Sequence, residues 1–84
     1  MKTFILDGTQ LQERNTAHSY LQEKLEFPTY YGKNLDALYD CLTEMDQVSI
    51  EIYLPEKISH YLERILRVFQ RAASSKQGIT IFYK

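Results

Sequence analysis

One cysteine, three glycines and two prolines are spread over 84 residues, and tryptophan is absent. With Cys41 alone, no internal disulfide can form, and a reducing compartment such as the cytoplasm suits the chain best. So little Gly and Pro excludes low-complexity and fibrous classes, and the chain is too short for a solenoid array. Long apolar runs are missing too: nothing approaches the roughly 18–20 residues needed to span a bilayer. The opening stretch MKTFILDGTQ offers only Phe4, Ile5 and Leu6 before Asp7, so no export signal is expected.

What is present is an ordinary globular composition, 44% hydrophobic and 25% charged, which fits one small domain over residues 1–84. A domain of this size buries only about 60–65% of its unfolded surface, so its core is thin. Net charge is −1, but the charges are segregated. From Asn34 to Glu56 there are six acids (Asp36, Asp40, Glu44, Asp46, Glu51, Glu56) and no Lys or Arg. From Lys57 to Lys84 there are six basic residues against the single acid Glu63. Such runs are either solvated faces or a surface aimed at an oppositely charged partner.

The apolar pattern sets the elements. Residues 2–7, KTFILD, read as a strand closed by the turn pair Asp7-Gly8. Asn15 is a candidate N-cap for a helix with Ala17, Tyr20, Leu21, Lys24 and Leu25 on one stripe, stopped by Pro28. Asn34 caps a second helix whose core stripe is Leu35, Leu38, Cys41, Leu42 and Met45. Val48, Ile50, Ile52 and Leu54 alternate as a strand. After Pro55 a longer helical region carries Ile58, Leu62, Ile65, Leu66, Phe69, Ala72 and Ala73, as one helix or as two broken near Ser59. Gly78 ends it, and ITIFYK is a last strand. The order β-α-α-β-α-β predicts an α/β fold of two layers: a three-stranded parallel sheet with right-handed crossovers, packed with three or four helices.

The polar side of the second helix holds Asp36, Tyr39, Asp40, Thr43 and Glu44 at spacings of 3, 1, 3 and 1, on the face opposite the core stripe. Three of its features work against stability. Asp36, Asp40 and Glu44 repeat a like charge every four residues, each pair costing a few tenths of a kcal/mol. Glu44 and Asp46 stand at the helix C-terminus, where the macrodipole disfavours anions. Tyr39 is a large aromatic on a wet face, and Tyr30 and Tyr31 flank Gly32 in the loop just before. Aromatics ringed by acids suit a protein-binding surface.

The stretch from Pro28 to Thr43, P-T-Y-Y-G-K-N-L-D-A-L-Y-D-C-L-T, closely resembles the central segment of the barstar family, intracellular inhibitors of barnase-type ribonucleases. The likeness extends more loosely over the chain, through His18 in the first helix, Val68-Phe69 and the closing strand Ile79-Thr80-Ile81. It implies a barstar-like fold and a stoichiometric inhibitor in place of an enzyme. A ribonuclease site must hold a polyanion and is lined with cations, so a carboxylate on a rigid helix can occupy its phosphate position. By resemblance, Asp40 fills that position and Asp36 pairs with a second basic group. Tyr30 packs against the catalytic histidine or the base-binding region. Tyr31, Asn34, Tyr39, Thr43 and Glu44 surround that centre, with Gly32, Leu35 and Met45 completing the surface. The implied partner is a basic, extracellular-type ribonuclease bound in the cytoplasm before export. No cofactor, metal, membrane or direct nucleic-acid contact is implied, and the free protein is expected to be a monomer.

The chain departs from that pattern in places. Barstar has tryptophan where this chain has Tyr39 and Met45, and glycine at Glu44. It also has two acids on its last helix, where this chain has Arg71 and, nearby, Ser75. A cation there points to a different ribonuclease with an acidic residue facing Arg71, or to a different docking. It also keeps open the alternative of a barstar-like protein whose partner is another nuclease toxin or a non-ribonuclease protein. Arg64, Arg67 and Arg71 share one helix face and raise a nucleic-acid-binding alternative, but no aromatic platform accompanies them. His18, His60 and Cys41 follow no metal or nucleophile spacing; His18 reads as a structural histidine and Cys41 as a small core residue.

Overall fold

The computed structural model describes residues 1–84. The chain runs β1 (Lys2–Asp7), a 3-10 turn (Gly8–Leu11), α1 (Arg14–Lys24), α2 (Leu35–Glu44), β2 (Val48–Tyr53), α3 (His60–Ser75) and β3 (Ile79–Tyr83). The strands lie in the order β1-β2-β3, both pairings parallel, with Phe4 opposite Ile50 and Ile50 opposite Ile81. This is the three-stranded parallel sheet that the element order predicts, with three α-helices packed on it.

Strand alternation decides which face is covered. Phe4, Leu6, Val48, Ile50, Ile52 and Ile79 are buried and join Leu21, Leu38, Leu42, Leu62, Ile65 and Phe69 in one core. The opposite face leaves Ile5, Tyr53 and Phe82 exposed, so helices cover one side only and the molecule has two layers. Gly8 lets β1 turn closely past the end of β2, because a Cβ there would meet the Tyr53 carbonyl oxygen at 2.5 Å. Gly78 enters β3 at φ +94°, a conformation that costs other residues strain.

Helix boundaries differ from the sequence expectation at both ends of α1, and the structure decides between the two readings left open for α3. Helix α1 starts two residues earlier: the Glu13 carbonyl accepts from the Ala17 N–H at 2.8 Å, so Glu13 is the N-cap and Asn15 lies in the first turn. The same helix ends at Lys24, ahead of Pro28, where Glu26 takes φ 59° and the Phe27 N–H returns to the Gln22 carbonyl at 3.0 Å. That left-handed closure stops the helix without proline. Helix α3 is a single helix capped by Ser59, whose Oγ accepts from the Leu62 N–H, and Ile58 falls before it and is exposed. Ser59 is itself clamped to Gln12, by its N–H to Oε1 at 2.8 Å and by its hydroxyl to the Gln12 carbonyl at 2.8 Å.

Candidate protein-binding surface

The loop before α2 separates two neighbouring tyrosines. Tyr30 is 84% exposed, whereas Tyr31 is 6% exposed and lies in the core. The Tyr31 hydroxyl is 2.7 Å from His18 Nδ1, and His18 Nε2 is 2.6 Å from the Tyr61 hydroxyl. His18 is fully enclosed and thereby joins α1, the loop and α3. Burial, with the charges of Arg14 and Lys33 adding, lowers its pKa below the ordinary histidine value. The neutral ring accepts from one tyrosine hydroxyl and donates to the other, so each nitrogen has a partner. Tyr31, expected on the binding surface, lies in the core instead, its inward ring packing with Phe27 at 4.9 Å between centroids.

Gly32, Lys33 and Asn34 are exposed and lead into α2. Lys33 sits at φ 54°, and Asn34 Oδ1 accepts from the Ala37 N–H at 2.7 Å, the cap expected from sequence. From there Asp36, Asp40 and Glu44 project into solvent on successive turns. Leu35, Tyr39, Thr43 and Met45 are half-buried. The Thr43 hydroxyl turns back to the helix, 3.0 Å from the Tyr39 and Asp40 carbonyl oxygens. Cys41 is also half-buried; burial pushes its thiol pKa up, and Glu44 and Asp40 add to that. A protonated thiol packed on the core stripe is a poor nucleophile.

The acidic end of α2 has a partner that sequence reasoning missed. Lys76 Nζ donates to the Thr43 carbonyl at 2.7 Å and to the Met45 carbonyl at 2.6 Å. A cation on the terminal carbonyls offsets the unfavourable placement of Glu44 and Asp46. It comes from more than thirty positions away, so no local pattern signals it.

Tyr39 is more constrained than its place among acids suggests. Its hydroxyl is 2.9 Å from Ser75 Oγ, and the Arg71 guanidinium lies 5.2 Å from its ring centroid. The two α3 positions that depart from the barstar pattern both hold this ring. Between α2 and α3 runs a groove of about 440 Å³. Leu35, Asp36, Tyr39 and Asp40 form one wall; Arg64, Arg67, Val68 and Arg71 form the other. No α2 acid closes on an α3 arginine as an ion pair; the only pair here is Arg67 with Glu63, at 2.9 Å. The acidic and basic segments of the sequence thus face each other across an open groove.

The fold and this surface define a class of protein. The chain belongs to the barstar family: the family model described as Barstar (barnase inhibitor) matches residues 1–84. It is also similar to YrdF of Bacillus subtilis (strain 168), whose name marks it as a candidate ribonuclease inhibitor, with 36% identity over 78 residues and 86% of each chain covered. The members of this family act as inhibitors, and an inhibitor-like role is what membership supports. No group of three or more His, Cys, Asp and Glu side chains converges as a metal site would, and no helix is long and apolar enough to cross a membrane.

Proposed function

We propose that the chain is a stoichiometric protein inhibitor of a barnase-type ribonuclease, acting as one domain over residues 1–84. Asp40 occupies the position of a substrate phosphate in the enzyme's basic cleft. Asp36 takes a second cation, and exposed Tyr30 packs beside the catalytic group. The observation that carries this reading is a row of exposed carboxylates without ion-pair partners on a helix capped at both ends. Those acids destabilise their own helix slightly, so a ligand is the simplest reason for their placement. The cellular setting that fits is the cytoplasm, with a monomeric inhibitor engaging the enzyme before export. The non-enzymatic reading is supported by membership of a family described as barnase inhibitors.

The test is inhibition of a barnase-type ribonuclease by the purified protein, titrated at low and physiological salt. Stoichiometric inhibition that weakens with salt is expected, because the contact is between opposite charges. Asp40→Ala should weaken it about 100-fold, since a charge-assisted hydrogen bond is worth about 1.5–3 kcal/mol. Unchanged inhibition by that variant would remove Asp40 from the role. A second reading, a barstar-like protein whose partner is a different nuclease toxin, is favoured by Arg71 on the groove wall.

A further inference from the structure

We infer that the partner of this surface is two-signed, carrying a carboxylate patch beside its basic cleft, and that Arg64, Arg67 and Arg71 select it. This rests on the inhibitor reading above and deepens it. The α2 wall of the groove presents Asp36 and Asp40, and the α3 wall presents the three arginines. The two rows do not neutralise one another by direct pairing. The Arg67–Glu63 pair is exposed, an arrangement that screens little of the cation's reach. Arg71 is held over the Tyr39 ring, which fixes its guanidinium on the groove side of the helix.

A protein presenting only cations here would satisfy α2 and meet like charge from α3. A polyanion such as RNA would satisfy α3 and be repelled by Asp36 and Asp40. A partner with cations opposite α2 and carboxylates opposite α3 meets favourable charge on both walls, and a guanidinium can engage a carboxylate through two hydrogen bonds. The arginines would then raise affinity for such a nuclease and lower it for one with a wholly basic rim. Both effects narrow the choice of partner.

The experiment uses a barnase-type ribonuclease with a wholly basic active-site rim, inhibited by the native chain, by R64Q/R71Q and by R64E/R71E. Far-UV circular dichroism confirms that each variant is folded. Inhibition should tighten about tenfold on neutralisation and further on reversal, with a steeper salt dependence each time. Asp40→Ala should weaken inhibition about 100-fold in every background. If the native chain inhibits through Asp40 but reversal leaves affinity unchanged or weakens it, the selective role of the arginines is overturned while the inhibitor reading stands. If neither the native chain nor either variant inhibits, the inhibitor reading falls, and this inference with it. Titration with a single-stranded RNA oligonucleotide closes the remaining case: micromolar binding that R64E/R71E abolishes would overturn the inference in favour of a nucleic-acid site.

Discussion

Tyr30 and Tyr31 share a dipeptide, yet the backbone sends one ring to water and the other to His18. Their substitutions should separate accordingly. Tyr30→Ala should change stability by no more than about 0.5 kcal/mol, as expected for an exposed side chain, and weaken inhibition several-fold. Tyr31→Phe leaves His18 Nδ1 without its partner at 2.7 Å, and an unsatisfied buried group costs about 1–3 kcal/mol; thermal unfolding followed by circular dichroism distinguishes the two. His18 adds a pH dependence. Its folded pKa lies below the ordinary histidine value of about 6.5, so between the two values the unfolded chain binds the extra proton. Its contribution to stability is complete above about pH 6.5 and is lost as pH falls toward the depressed folded value. Melting temperatures measured between pH 7.5 and 5.5 should fall more for the native chain than for His18→Gln, which cannot titrate.

At the scale of an element, α2 is ten residues long, too short to persist alone in water. Its order comes from Asn34 at one end, Lys76 at the other and the packing of Leu38 and Leu42. Asn34→Ala should cost about 1 kcal/mol. Lys76→Met strips two carbonyls of a charged donor and should cost about 1–3 kcal/mol. At about 4–8 °C per kcal/mol for a domain this small, both are readable in a melting curve. Lys76 touches none of the proposed partner-facing acids, so weaker inhibition by Lys76→Met would show that the helix must be held at its end to bind.

At the scale of the molecule, one face of the sheet carries the helices and the other stands open. Ile5, 59% exposed, and Phe82, 46% exposed, lie on the open face, away from the groove between α2 and α3. Replacing both with threonine should leave inhibition unchanged and stability within about 0.5 kcal/mol per site. A loss of inhibition would bring that face into the interface. The same layering sets acids and arginines on opposite walls of one groove, although they lie in separate stretches of the chain.

Local chemistry determined a large part of this protein. The periods of Phe4-Leu6, Val48-Ile50-Ile52 and Leu62-Ile65-Phe69, the Asn34 cap and the segment from Pro28 to Thr43 are all legible along the chain, because each depends on residues a few positions apart. They are enough for the strand and helix order, the parallel sheet and the family. Tertiary structure alone decided which tyrosine is buried, that Glu13 and not Asn15 begins α1, that Lys76 closes α2 and that Arg71 rests on Tyr39. The physical reason is the same in each case. A side chain's final partner is chosen by what the fold brings within a few ångströms, and for His18–Tyr61, Lys76–Thr43 and Tyr39–Ser75 those partners lie 43, 33 and 36 residues apart.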